Sequence, residues 1–135
     1  MDSILQKHVT RLKIDAQRIG QGLDNLVENY SDWIREHEEK NMTELSGNVS
    51  GLETDLIEMV RDCMIVLHCL EKEEKGDLFD DLYKTFLCLD VLFSNLRKVR
   101  WQMKDAYIHP GLLDHLEINS ERLNEIIGQL QRHLN

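Results

Sequence analysis

Hydrophobic and polar positions follow a helical beat from the start of the chain. Leu5, Val9, Leu12, Ala16, Ile19, Leu23, Leu26, Tyr30, Trp33 and His37 are separated by alternating steps of four and three residues. A helix turns about every 3.6 residues, so a 3.5-residue apolar repeat keeps one narrow stripe against a neighbouring helix and coils the two together left-handed. The spacing predicts a first helix over about residues 3–45. It runs through Gly20 and Gly22, each of which costs a helix about 1 kcal/mol relative to alanine. The segment Ser46-Gly47-Asn48-Val49-Ser50-Gly51 gathers turn-forming residues and predicts a chain reversal.

A second helix is predicted over 51–75, with Ser50 and Glu53 in capping-box spacing at its start. One stripe reads Leu52, Leu56, Met59, Cys63, Val66 and Leu70, and a second reads Ile57, Val60, Met64 and Leu67. Two adjacent stripes predict burial against more than one neighbour and a place at the centre of the fold. Gly76-Asp77, a helix stop followed by a cap, separates it from a third helix over 77–108. The seam there is Phe79, Leu82, Phe86, Leu89, Phe93, Leu96, Arg100, Met103 and Tyr107, which would place the aromatic part of the core in this helix. His109-Pro110-Gly111 ends it, because proline disfavours helical geometry in the residue before it.

The last segment, 111–134, carries Leu113, Leu116, Ser120, Leu123, Ile127, Leu130 and Leu134 at helical spacing, with Asn119-Ser120 as a polar interruption. Strand-like alternation and repeats of twenty to fifty residues are both missing. The expected fold is all-α, a four-helix bundle with a long, coiled-coil-like N-terminal helix, spanning 1–135 as a single domain.

Helix length then bears on partners. A helix of about 43 residues is about 65 Å long, whereas helices of about 25 residues reach about 38 Å. A bundle of such unequal helices leaves part of the first seam uncovered. Each large apolar side chain left in water forfeits about 1.5–3 kcal/mol, so either the first helix breaks, at Gly20 to Gly22 or near residue 40, or a helix from another chain is expected to cover the surplus.

Composition narrows the setting. The chain has 135 residues, enough for a core without disulfides or a metal, and a formal charge of −9. Between Asp24 and Asp81 there are seventeen Asp and Glu against five Lys and Arg, a surface that repels phosphate backbones and anionic lipid. Nucleic acid is therefore not expected as a partner. No apolar run approaches the roughly 18 residues of a membrane span, and no secretory signal pattern opens the chain. Three cysteines, Cys63, Cys69 and Cys88, sit in apolar surroundings and suit reduced thiols. Together these predict an intracellular protein, cytoplasmic or nuclear.

Chemistry-bearing motifs are sparse. None of the six histidines has Glu or Asp three residues before it, which excludes the paired Glu-x-x-His ligands of di-iron bundles. Cys63, His68 and Cys69 lack the spacing of zinc knuckles. No phosphate-binding loop or nucleophile elbow is present. No catalytic, cofactor or metal residue is assigned, and an enzyme is not expected. His68, with Lys72 one turn on, resembles in part the histidine phosphotransfer domains. That pattern wants lysine three and glycine four positions after the histidine, where this chain has Glu71 and Lys72.

The expected function is a non-enzymatic helical interaction module, acting as subunit, adaptor or chaperone of an assembly. Its partner would be another protein chain or a second copy. The residues expected to carry the contact are Leu5, Val9, Leu12, Ile19, Leu23, Leu26, Tyr30 and Trp33 of the first seam, with Trp101, which lies off the stripe of its own helix. Alternatives are a phosphotransfer-type signalling bundle using His68, and a carrier of lipid or another apolar ligand, which would hold an apolar cavity among helices two and three.

Overall fold

The computed structural model describes residues 3–71, 76–105 and 111–134. They form four helices, α1 (Ser3–Glu36), α2 (Glu39–Glu71), α3 (Asp77–Asp105) and α4 (Leu112–Leu134), with no strand among the described residues. The architecture is an all-α four-helix bundle. Backbones pack in cyclic order, α1 on α2, α2 on α3, α3 on α4 and α4 on α1, and not across either diagonal. Its core is a column of aliphatic side chains, among them Leu12, Ile19, Leu26, Leu45, Leu56, Met59, Leu82, Leu92, Leu123 and Leu130.

The chain reverses earlier than the turn-rich segment suggests. His37 takes a left-handed backbone, φ 52°, and its N–H donates to the Trp33 carbonyl at 2.8 Å, closing α1. The Met42 N–H bonds the Glu38 carbonyl at 3.1 Å and opens the next helix. The expected first helix over 3–45 is thus α1 over 3–36, and residues 46–51 lie inside α2. Tertiary packing overrides turn propensity there, because Leu45, Val49 and Leu52 continue in phase with Leu56, Met59, Cys63 and Val66, and all seven are buried.

This shift equalises the helices. At 1.5 Å per residue, α1 and α2, with 34 and 33 residues, are both about 50 Å long. Every seam residue from Leu5 to Trp33 is buried inside the bundle, and only His37, at the turn, is exposed. No surplus seam remains for another chain to cover.

Further departures concern α2, α3 and α4. Ser50 and Glu53 form no cap; they lie mid-helix and bind Arg100 of α3, whose Nε donates to Glu53 at 2.7 Å and whose Nη2 donates to Ser50 at 2.8 Å. α2 is one corner of a square, so its second stripe is not enclosed: Val60 and Leu67 are half-buried, Ile57 and Met64 exposed. In α3 the buried face is Leu82, Thr85, Leu89, Leu92, Leu96, Val99 and Met103, rotated from the expected seam. None of the three phenylalanines is buried: Phe79 and Phe86 are intermediate and Phe93 is exposed. α4 is continuous through Asn119-Ser120, which point inward. Gly76-Asp77 marks the start of α3 as expected, whereas Tyr107, Lys72 and His109-Pro110 lie outside the described residues.

Candidate interaction face

Beside its buried leucines, α3 places three polar side chains inside and five large apolar ones outside. Thr85, Asn95 and Gln102 are buried, each with a hydrogen bond to offset part of its loss of water, although Gln102 Nε2 finds no partner. Thr85 donates to the Asp81 carbonyl at 2.7 Å, and Asn95 donates to Asn119 Oδ1 of α4 at 3.2 Å. The Tyr30 hydroxyl crosses the bundle from α1 and donates to Gln102 Oε1 at 2.7 Å. Meanwhile Tyr83, Leu87, Val91, Phe93 and Trp101 are exposed, Trp101 to 68%.

Tyr83, Leu87, Val91 and Trp101 share a face because their spacing repeats the helical turn, whereas Phe93 lies to the side, against α2. Tyr83, Leu87, Val91, Ser94, Lys98 and Trp101 follow one another at steps of four and three along the outside of α3. Ile57 and Met64 of α2 extend the apolar surface sideways. Between the two helices lies a groove of about 250 Å³, lined by Leu56, Ile57, Val60, Phe86, Leu89 and Phe93, with Asp90 at its edge. Seven of the eleven large hydrophobic side chains that the described residues expose lie on α3 or the adjoining part of α2. Scattered exposure is ordinary in soluble proteins, whereas here the exposed apolar side chains are concentrated on one side of the bundle.

Charge on α3 is divided along its length. Residues 77–90 hold Asp77, Asp80, Asp81 and Asp90 with Lys84, whereas residues 91–104 hold Arg97, Lys98, Arg100 and Lys104 and no acidic residue. Asp81 faces His133 of α4, 2.6 Å away. The Arg97 guanidinium lies 5.9 Å from the centre of the Phe93 ring. Phe93, Arg97, Lys98, Trp101 and Lys104 line an open depression along the outside of the helix.

Of the nine residues expected to contact a partner, Leu5, Val9, Leu12, Ile19, Leu23, Leu26, Tyr30 and Trp33 lie in the core, and Trp101 stands on the exposed strip. The sequence reading missed Tyr83, Leu87 and Val91. Their signal is a second, outward stripe on α3 that the seam from Phe79 to Tyr107 leaves out.

A buried polar cluster between α1 and α2 was also missed. His8 Nδ1 lies 2.9 Å from Asp62 Oδ1, and Asp62 shares a hydrogen bond with Asp15. Burial, the bond to Asp62 and the negative charges of Asp62 and Glu58 push the Asp15 carboxyl up to about 7. Asp15 Oδ2 has no partner. Asp15 and Asp62 each stand one position before a core residue, Ala16 and Cys63, where a helix face turns from apolar to polar. A histidine and carboxylate pair can activate a nucleophile, but the thiol next along the chain, Cys63, is fully buried and pushed up to about 12, chiefly by desolvation. A thiol held protonated in this way is inert.

Among the described residues no group of three or more His, Cys, Asp or Glu is placed to hold a metal ion. No described helix is long and apolar enough to cross a membrane. His68 is exposed near the end of α2. Comparison of the chain with protein-family models, curated proteins and solved structures finds no match.

Proposed function

We propose that this protein is a non-enzymatic helical interaction module, a subunit, adaptor or chaperone of a protein assembly, and that it receives a partner helix on the outer face of α3 and the adjoining edge of α2. The observation that carries this reading is the concentration of exposed apolar side chains on one strip while α3 turns polar side chains inward. An amphipathic helix laid along the strip would insert side chains into the groove between α2 and α3, a common mode of helix recognition. Trp101 and Tyr83 are residue types that dominate binding energy when a partner removes them from water. The groove is open and, at about 250 Å³, falls below the roughly 300–1,000 Å³ of small-molecule sites, so it suits one or two side chains of a partner better than an enclosed apolar ligand.

The test compares what copurifies from the native cell with the wild-type chain, with Leu87→Glu/Trp101→Glu, and with the control Ile14→Glu on the exposed side of α1. Associated chains, further copies included, should be lost with the α3 variant and kept with the control. Recovery of the same chains with all three would overturn the proposal.

A further inference from the structure

Resting on that reading of the strip, we infer that its occupant is a second copy of this chain, with α3 packed antiparallel on α3 of the partner across a two-fold axis near Leu92. A two-fold interface must be self-complementary, so each surface has to match itself after end-to-end reversal. The outside of α3 has this property. Tyr83 and Trp101 are each nine residues from Leu92, on opposite sides, and Asp80 and Lys104 are each twelve residues from it.

Reversal thus brings the half carrying Asp80 and Asp90 over the half carrying Arg97, Lys98 and Lys104. It lays the Tyr83 end against the Trp101 end and brings Val91 of each copy over the small Ser94 of the other, where two backbones can approach closely. Arg97, Lys98 and Lys104 have no carboxylate within 4 Å among the described residues, so they are available to a partner's acidic half. A unipolar acidic helix would satisfy only the basic half. A second copy satisfies both.

The experiment is sedimentation equilibrium of the whole chain at tens of micromolar, with circular dichroism to show that each variant is folded. One variant reverses the outward charges of the basic half of α3 (Arg97→Glu, Lys98→Glu, Lys104→Glu); the other reverses Asp80 and Asp90 of the acidic half (Asp80→Lys, Asp90→Lys). All five side chains lie at least partly in solvent. The wild type should be dimeric, each variant alone should self-associate roughly 100-fold more weakly, and an equimolar mixture should dimerise, because acidic and basic faces then meet at both ends. If the variants do not fold, Leu87→Asp alone should give a folded monomer.

A monomeric wild type would overturn the second copy as occupant and leave the partner-helix proposal to the copurification test. A dimer that persists with Leu87→Asp would show that the copies meet elsewhere, overturn the second copy as occupant of the strip, and likewise leave the partner-helix proposal to the copurification test. A dimer abolished by Leu87→Asp but indifferent to both charge reversals would overturn the antiparallel arrangement alone.

Discussion

α1 and α3 make opposite use of their apolar residues. In α1 the stripe from Leu5 to Trp33 is buried without exception. In α3 the buried face mixes Leu82, Leu89, Leu92 and Leu96 with Thr85, Asn95 and Gln102, while Tyr83, Leu87, Val91 and Trp101 face out. Burial alone explains the arrangement of α1. It does not explain α3, where apolar side chains forgo about 1.5–3 kcal/mol each by staying outside, and polar ones inside require partners. The outward apolar side chains of α3 are the ones that the proposed partner helix would cover.

The contrast can be broken by paired truncations. Leu12→Ala in α1 should lower the stability to unfolding by about 2–5 kcal/mol, because Leu12 is wholly buried. Leu87→Ala in α3 should stay within about 0.5 kcal/mol in the isolated monomer. Urea melts of the two variants, with the Leu87 pair compared under conditions where the chain is monomeric, decide it. Equal losses would show that Leu87 belongs to the core.

The polar interior of α3 offers the next test. Asn95→Leu removes a donor and strands Asn119, at a cost of about 1–3 kcal/mol. Replacing both residues by leucine should recover most of that loss. If the single variant melts like wild type, the inward polar face is not held by this hydrogen bond.

α1 has its own exception in Asp15. Its folded carboxyl titrates at about 7 against 3.8 unfolded, so between these values the native state holds a proton that the unfolded state has released. Stability therefore falls as pH rises from about 4 to 7. Asp15→Asn keeps a donor for Asp62 without the charge. It should stabilise the protein at pH 8 by on the order of 1–2 kcal/mol and have little effect at pH 4. Thermal melts at the two pH values report it, and a pH-independent difference would contradict the assignment.

The smallest effects separate a crowded glycine from free ones. A Cβ on Gly22 would lie 2.9 Å from Leu52 Cγ, whereas one on Gly47 meets nothing within 4 Å. Gly22→Ala should cost about 1 kcal/mol despite its better helix propensity, and Gly47→Ala should gain about 0.5–1 kcal/mol. Equal gains at both sites would remove the close approach of α1 and α2 from the account.

Fold class was legible because periodicity reports burial, and α1 shows it residue by residue. The α1–α2 turn was legible only as an alternative, a break near residue 40 argued from helix length, since His37-Glu38 contains no glycine, proline or asparagine while Gly47 and Gly51 lie further on. The corrective signal was there: Leu45 and Val49 keep phase with Leu52, whereas residues 35–44 offer only Met42 as an apolar side chain. The strip on α3 was half legible. Trp101 stood out as off-stripe, but Tyr83, Leu87 and Val91 could be separated from the core only once Leu92 and Val99 were seen to face inward. The Asp15 cluster depends on which side chains two helices bring opposite each other, a long-range fact that local pattern does not carry.

The tight reversal at His37-Glu38 also has a kinetic meaning. Closing a link of two residues costs little chain entropy, so the two longest helices can zip together before anything downstream exists. Contacts next to the turn are local in sequence and form fast. Residues 3–71 thus make a hairpin able to serve as the template on which the later pair docks, and the last helices to arrive include the one whose outer side is left open to company.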